Sequence, residues 1–225
     1  MLHANPRVIA AAALGVLTLA GCGGGTGSGG GGATPTPVAS PTPNFNKTFA
    51  VADLASLVLQ PSEGPSGVPY ATSGATAAGQ FWSCCPDVQA KWTTDGFVQL
   101  AGGHFQSPAA VFNKGDTWPA GPGLIFSFAA AFQDTTGAKQ GLAAWYAYSA
   151  GSLTPISGLR ELGPDAMGVS GNEGQIPKGS VITYIYFWRV GNVAFSVQVS
   201  GRSGTLTESD ARHFADLVMA HASAH

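Results

Sequence analysis

The sequence predicts an α+β fold, in which a single, mostly antiparallel β-sheet packs against helices. Residues 181–190 and 193–200 are strand-like runs separated by Gly191-Asn192, a two-residue loop that is typical of a β-hairpin. Residues 124–132 alternate large apolar side chains with smaller ones, which also indicates a strand. Helix signals precede and follow these runs, and hairpins combined with intervening helices are typical of the α+β class.

The two-residue loop fixes which residues of the hairpin lie opposite each other. The pairs on one face are all apolar or aromatic: Val190 with Val193, Trp188 with Phe195, Tyr186 with Val197 and Tyr184 with Val199. Such a set predicts the core-facing side of the sheet. The opposite face is only half polar, and we therefore expect another element to cover part of it.

Two helices are predicted ahead of the hairpin. Residues 86–94 begin with Pro86, which is favoured in the first turn of a helix. Asp134 or Thr135 caps a second helix, which ends near Gly151.

The last predicted helix covers residues 208–222. Thr207 and Asp210 stand three residues apart and form a variant of the capping box. One stripe of this helix is mainly apolar and consists of Ala211, Phe214, Leu217, Val218 and His221.

The remaining segments carry weaker patterns. A short helical turn after Asp53 is ended by Pro61, and residues 97–105 alternate as a strand does. Residues 64–80 are rich in small and polar residues and are interpreted as irregular surface chain. Residues 151–179 are interpreted as loop-rich, with room for an extra strand.

The N-terminus has the pattern of an export signal. Residues 8–20 form an apolar stretch of 13 residues, too short to span a membrane, which needs about 20. It ends in Leu19-Ala20-Gly21-Cys22, which resembles the lipobox of bacterial lipoproteins. The resemblance implies cleavage before Cys22 and diacylation of its sulfur, and two acyl chains suffice for stable anchoring. An ordinary secretory signal with an incidental cysteine is the alternative.

A tether is predicted after the signal. Eight of the ten residues 23–32 are glycine, which predicts flexible coil, and a Pro/Thr-rich stretch follows, which favours extended polyproline II. The predicted organisation is therefore a signal peptide over 1–21, the lipidated cysteine and tether over 22–45, and one globular domain over 46–225.

Charge and composition exclude one class of partner. A net charge of −2 without a basic cluster argues against nucleic-acid binding. Only 10% of the residues are charged, against about 25% in typical soluble domains. The uncharged tether accounts for part of this deficit, and the rest belongs to the domain.

The globular part resembles a group of exported domains. The segments that carry the resemblance are IFSFAAAFQDTTGAKQGLAAWY, LGPDAMG, FWRVGNVAFSVQVSG and the final helix. They resemble actinobacterial lipoproteins of the LpqN type, which have a PsbP/Mog1-like fold, and the extracellular sensor domains of bacterial serine/threonine kinases. The resemblance implies an α+β fold and an extracytoplasmic binding role, and it transfers no catalytic residues.

Cys84 and Cys85 are the only cysteines besides Cys22. Exported thiols meet an oxidising compartment, so a vicinal disulfide is one expectation. Two buried free thiols or an intermolecular bridge are the alternatives. A metal role would need a third ligand such as His104, and no metal or cofactor is predicted.

The histidines give no strong metal or catalytic signal. His221 and His225 stand four residues apart, a spacing that suits a shared metal on one helical face, but solvated histidines near a frayed terminus are the preferred interpretation. The sequence has no HExxH or CxxC motif and no hydrolase elbow in a usable context.

Two classes of function remain. The first is a non-catalytic, membrane-anchored extracytoplasmic lipoprotein that binds a small apolar ligand or an envelope protein, with a pocket formed by Trp82, His104, Trp118, Trp188 and Arg189. The second is an envelope enzyme, either a hydrolase or a thiol-redox enzyme. It would use Cys84/Cys85 or His104, and it would need His104, the cysteine pair or Asp116 and Asp165 to converge in a cleft.

Overall fold

A computed structural model of the chain describes residues 44–110, 118–176 and 179–225. The predicted signal peptide, Cys22 and most of the predicted tether lie outside these ranges. Within them, no helix is long and apolar enough to cross a membrane.

The described strands form one sheet in which every neighbouring pair is antiparallel. The strands are β1 (Tyr70–Ala75), β2 (Phe97–Gln106), β3 (Pro122–Phe132), β4 (Thr154–Pro155), β5 (Met167–Ile176), β6 (Gly179–Val190) and β7 (Val193–Arg202). Their order across the sheet is β1-β2-β3-β7-β6-β5-β4. The predicted α+β class with an antiparallel sheet is confirmed.

The described helices are α1 (Ala78–Phe81), α2 (Pro86–Thr94), α3 (Thr135–Ala150) and α4 (Glu208–Ala224), with 3-10 helices over Val51–Ser56 and Arg160–Leu162. Three of the described helices, α2, α3 and α4, lie at the predicted positions. The side chain of Asp134 caps α3 by accepting the N–H of Gly137, and Thr207 and Asp210 cap α4 reciprocally. These caps satisfy backbone N–H groups that a helix leaves free at its start.

The interpretation of residues 64–80 as irregular chain is wrong. This segment contains strand β1 and helix α1. Four of the six residues of β1 are exposed, because β1 is an edge strand, and its composition therefore lacks the apolar alternation of a half-buried strand. One extra strand is expected within residues 153–170, and the structure has two there, β4 and β5, the second of which extends to Ile176.

The register predicted for the β6–β7 hairpin is confirmed, from Val190 opposite Val193 to Tyr184 opposite Val199. The rings of Trp188 and Phe195 stack with their centroids 5.4 Å apart. Helix α4 packs on this side of the sheet, which we call the α4 face, and its buried residues join the same core cluster.

The opposite side, which we call the α3 face, is also covered, as the half-apolar pattern of the hairpin predicts. Helices α1, α2 and α3 pack there around a cluster of aromatic rings. Trp92 is fully buried among the rings of Trp82 and Trp145, and its indole N–H donates to the carbonyl of Gly141 at 3.1 Å. The central strands are therefore buried on both faces.

The β6–β7 turn hydrogen-bonds to the start of the domain, residues 45–49. Gly191 has a φ of 56°, a conformation that favours glycine, and a Cβ there would overlap the carbonyl of Lys47, which crosses the turn. The Gly191 N–H donates to the carbonyl of Phe45 at 2.8 Å. The side chain of Asn192 accepts the N–H of Phe49 at 2.8 Å and donates to the carbonyls of Phe49 and Phe132.

Removal of the Asn192 side chain should destabilise the domain. Both Asn192→Ala and Asn192→Gly leave the buried N–H of Phe49 without its acceptor, and we expect a loss of about 1–3 kcal/mol in the free energy of unfolding. Denaturant titration of the full chain measures this loss. Asn46→Ala, an exposed substitution in the same segment, is the control and should stay within about 0.5 kcal/mol of wild type. A near-neutral effect of both Asn192 variants would contradict the role assigned to this side chain.

Candidate functional site

The five residues of the predicted pocket do not lie together. Trp188 is fully buried in the core on the α4 face, whereas Trp82 belongs to the aromatic cluster on the α3 face. Trp118 packs in a separate small cluster with Ala110, Leu124 and Val181. The tryptophans therefore fill three different parts of the core and do not line one cavity.

Arg189 and Asp165 form a structural ion pair. The guanidinium of Arg189 is 8% exposed and donates to one carboxylate oxygen of Asp165 from Nε at 3.0 Å and from Nη2 at 2.7 Å. Burial raises the pKa of Asp165, but hydrogen bonds from Arg189 and Lys139 outweigh it and hold the pKa below its usual value. A further Arg189 N–H donates to the carbonyl of Gly191 at 3.0 Å, so this pair supports the β6–β7 turn.

His104 lies half-buried on the α3 face of β2. Its ring centroid is 5.3 Å from that of Phe126 on the neighbouring strand β3. Burial lowers the pKa of His104 below its usual value of 6.5, because the apolar surroundings disfavour the charged imidazolium. The side chain is thus neutral at pH 7.

The residues of the enzyme alternative are dispersed. His104 is on β2 and the Arg189–Asp165 pair is at β6, three strand spacings or about 14 Å across the sheet. Asp116 lies outside the described residues. In the described part of the chain, no three or more histidine, cysteine, aspartate or glutamate residues form a group that could hold a metal ion. The described residues therefore assemble no catalytic or metal centre.

Cys84 and Cys85 are joined as a disulfide between adjacent residues at the start of α2. The hydroxyl of Tyr148 lies 2.9 Å from Sγ of Cys85 and 3.6 Å from Sγ of Cys84. A disulfide sulfur carries no proton, so the phenol is the donor. The Tyr148 ring also packs edge-on against Trp82 at 5.1 Å, which connects the cysteine pair to the aromatic cluster on the α3 face.

A groove of about 280 Å³ lies beside the edge strand β1. It is lined by Ala55, Val58, Gln60, Pro61, Tyr70, Thr72, Ser73, Ala101 and Gly102, and we call it the Tyr70 groove. None of these residues is charged, and most of them are apolar or small. The groove therefore suits an uncharged, mainly apolar group.

The wall of the Tyr70 groove is held in place through Leu59. The hydroxyl of the fully buried Ser127 accepts the N–H of Leu59 at 2.9 Å and donates to the carbonyl of Gly103 at 3.0 Å. The hydroxyl of Tyr70 donates to the carbonyl of Leu59 at 2.8 Å. Burial, and secondly the nearby carboxylate of Glu63, raise the pKa of Tyr70, which keeps the phenol protonated as a donor.

The C-terminal histidines hydrogen-bond to residues that flank the same wall of the groove. Nε2 of His221 is 2.7 Å from a carboxylate oxygen of Glu63, whose other oxygen accepts the N–H of Gln60 at 2.6 Å. Nε2 of His225 is 2.8 Å from the hydroxyl of Ser56. The expectation that these histidines are simply solvated is therefore wrong for His221, which is half-buried and paired. The two rings bind different partners and share no site.

Sequence reasoning missed the Tyr70 groove because its walls come from distant segments. Leu59, which supports one wall, hydrogen-bonds to Tyr70 on β1 and to Ser127 on β3. The 3-10 helix before it contacts β2 and β3, whereas the sequence pattern of β1 indicates irregular chain. The one local signal is Pro61, which lines the groove and lies in a turn five residues beyond Ser56, the last residue of the 3-10 helix.

Comparisons with known proteins support the fold alone. No protein-family model matches the chain, and no curated protein matches it. Among solved structures, the extracellular domain of PknH from Mycobacterium tuberculosis is similar, with a TM-score of 0.56 and 12% sequence identity. The similarity covers 80% of this chain and 100% of that domain. It agrees, at the level of the fold, with the resemblance to extracellular kinase domains noted in the sequence.

The oxidation state of the cysteine pair can be measured directly. We expect that alkylation of the denatured full chain without reductant leaves the tryptic peptide with residues 84 and 85 unmodified, because the two sulfurs are bonded to each other. After reduction, mass spectrometry should find two alkyl groups on that peptide. Two alkyl groups before reduction, or a covalent dimer of the peptide, would contradict the vicinal bridge.

Proposed function

We propose that this chain is a lipoprotein, anchored to the cell membrane through Cys22, whose non-catalytic extracytoplasmic domain binds a small, uncharged and mainly apolar ligand in the Tyr70 groove. The observation that carries the ligand class is the uncharged lining of a groove of about 280 Å³. Ligand pockets usually measure about 300–1,000 Å³, so the groove suits a ligand no larger than one or two rings.

The location rests on the N-terminal pattern. The apolar stretch over 8–20 and the lipobox-like Leu19-Ala20-Gly21-Cys22 favour export followed by lipid anchoring. The similarity to an extracellular domain is in agreement with this location.

The ligand would be recognised mainly by apolar contact. Val58, Pro61 and Ala101 provide apolar surface, and the side chain of Thr72 lies on the same face of β1 as Tyr70. The Thr72 hydroxyl makes no hydrogen bond within the described part of the chain, so it is available to one polar group of a ligand. The Tyr70 hydroxyl is already committed to Leu59 and acts as support.

A non-catalytic role is favoured because the candidate catalytic groups stand apart. His104, the cysteine pair and Asp165 lie in different parts of the fold, and Asp165 is neutralised by Arg189 and Lys139. Acid–base or nucleophilic catalysis requires such groups within hydrogen-bond reach of one another.

Native mass spectrometry of the full chain, purified in mild detergent from bacterial membranes, tests the ligand proposal. We expect a retained small molecule on the wild type, and at least tenfold less of it on Ala101→Leu, which fills the groove with three added carbons. Ala90→Leu on the exposed side of α2 is the matched control and should retain the molecule.

A second measurement covers a ligand that is lost during purification. Indole is an uncharged ring system with one N–H. In NMR titrations, indole should shift the amide resonances of residues 72 and 101 in the wild type, and it should leave both resonances unchanged in Ala101→Leu. An empty protein that also shows no such shifts would overturn the proposal and favour an envelope protein as the partner.

A further inference from the structure

Strand β1 is an edge strand without the usual protection of an edge. It contains no charged residue, no proline and no bulge, and its pairing with β2 is regular over all six residues. Residues 71–74 are exposed. Natural sheets normally block such an edge with charge, proline, bulges or very short strands, because it is a template for another strand. The opposite edge is blocked in this way, since β4 has only two residues and one of them is Pro155.

The direction of the backbone groups of β1 follows from one hydrogen bond. The N–H of Gln106 donates to the carbonyl of Pro69, so residues 69 and 106 form a hydrogen-bonded pair. Since such pairs alternate along an antiparallel ladder, Ala71, Ser73 and Ala75 direct their backbone groups to β2. The N–H and C=O groups of Tyr70, Thr72 and Gly74 therefore point outward, and none of them has a partner in the described part of the chain.

We propose that this edge binds the same edge of a second copy of the chain, with Thr72 opposite Thr72 on a two-fold axis. In this antiparallel register Tyr70 lies opposite Gly74 of the second copy, and the reverse pair completes the symmetry. All three outward-pointing residues then fall in hydrogen-bonded positions, so six backbone hydrogen bonds form across the axis. Every outward backbone group of β1 is satisfied.

The side chains of β1 are compatible with this self-pairing. The largest one, Tyr70, faces a glycine, and the axis pairs Thr with Thr, a combination that is favourable between strands. Ala71 faces Ser73 on the other side of the ribbon, where both are small and exposed. Because β1 is uncharged, the two-fold axis brings no like charges together, as it would on a charged edge. Such an isologous contact closes as a dimer and does not propagate.

Cysteine cross-linking on the full chain tests the register. In Thr72→Cys the two Cα atoms would be about 5.5 Å apart across the axis, which is within the range for a disulfide. We expect a covalent dimer on mild oxidation. Thr76→Cys is the matched control, since it is equally exposed but the two copies of residue 76 lie about 27 Å apart in this register. The wild type controls for bridges through Cys84 or Cys85.

Variants at the outward N–H of Thr72 test the hydrogen bonding. Thr72→Pro removes an N–H that does not bond to β2, so circular dichroism should show a folded domain. The dissociation constant of the dimer should rise at least tenfold. Thr72→Val keeps the N–H and should remain as dimeric as wild type. Sedimentation of the full chain in non-ionic detergent measures both.

Two results would overturn the inference. One is a wild type that stays monomeric up to about 100 µM, a concentration far above micromolar affinity. The other is a Thr72→Cys variant that cross-links no more than Thr76→Cys. In either case the free edge would be available to an extended segment of a different protein.

Discussion

The two-residue turn Gly191-Asn192 holds together the parts of this domain that are most distant in sequence. Its backbone and side chains hydrogen-bond to the start of the domain at Phe45 and Phe49 and to the end of β3 at Phe132. Arg189, two residues before Gly191, donates to the carbonyl of Gly191 and is itself neutralised by Asp165. The turn therefore connects residues 45–49, the central strands and the loop before β5.

The hairpin that this turn closes accounts for the two-sided core. Alternate residues of β6 and β7 point to opposite faces, and both sets are largely apolar. One set packs against α4 and the other against α3, so the central strands need few polar residues. This arrangement is one physical reason for the low share of charged residues, which the predicted tether alone does not explain.

The parts of the fold that depend on local chemistry could be predicted from the sequence. The hairpin register follows from a two-residue loop, and α2, α3 and α4 follow from Pro86, Asp134 and the Thr207–Asp210 pair. Strand β1 could not be predicted, because an exposed edge strand lacks the alternation that marks a half-buried one. The sequence predicts one pocket that includes Trp82, Trp118 and Trp188, but the structure places these residues in three separate clusters. Whether a tryptophan lines a pocket or fills a core depends on which layers meet there. Trp82 and Trp188 both fill the core.

The candidate site depends on long-range contacts more than the helices and the hairpin do. The Tyr70 groove exists because Ser127 on β3 and Tyr70 on β1 both bind the backbone of Leu59. No sequence pattern relates these three positions, which are brought together by the strand order. The pairing of His221 with Glu63 has the same origin, since it joins residues separated by 158 positions.

Native-state hydrogen exchange of the full chain tests most directly whether the turn-centred hairpin organises the domain. The account predicts that the amides of Tyr186, Trp188, Phe195 and Val197 exchange only by global unfolding, with the free energy found by denaturant titration. The result that would contradict it is exchange of these four amides at a free energy at least about 2 kcal/mol lower, while the amides of α3 stay protected.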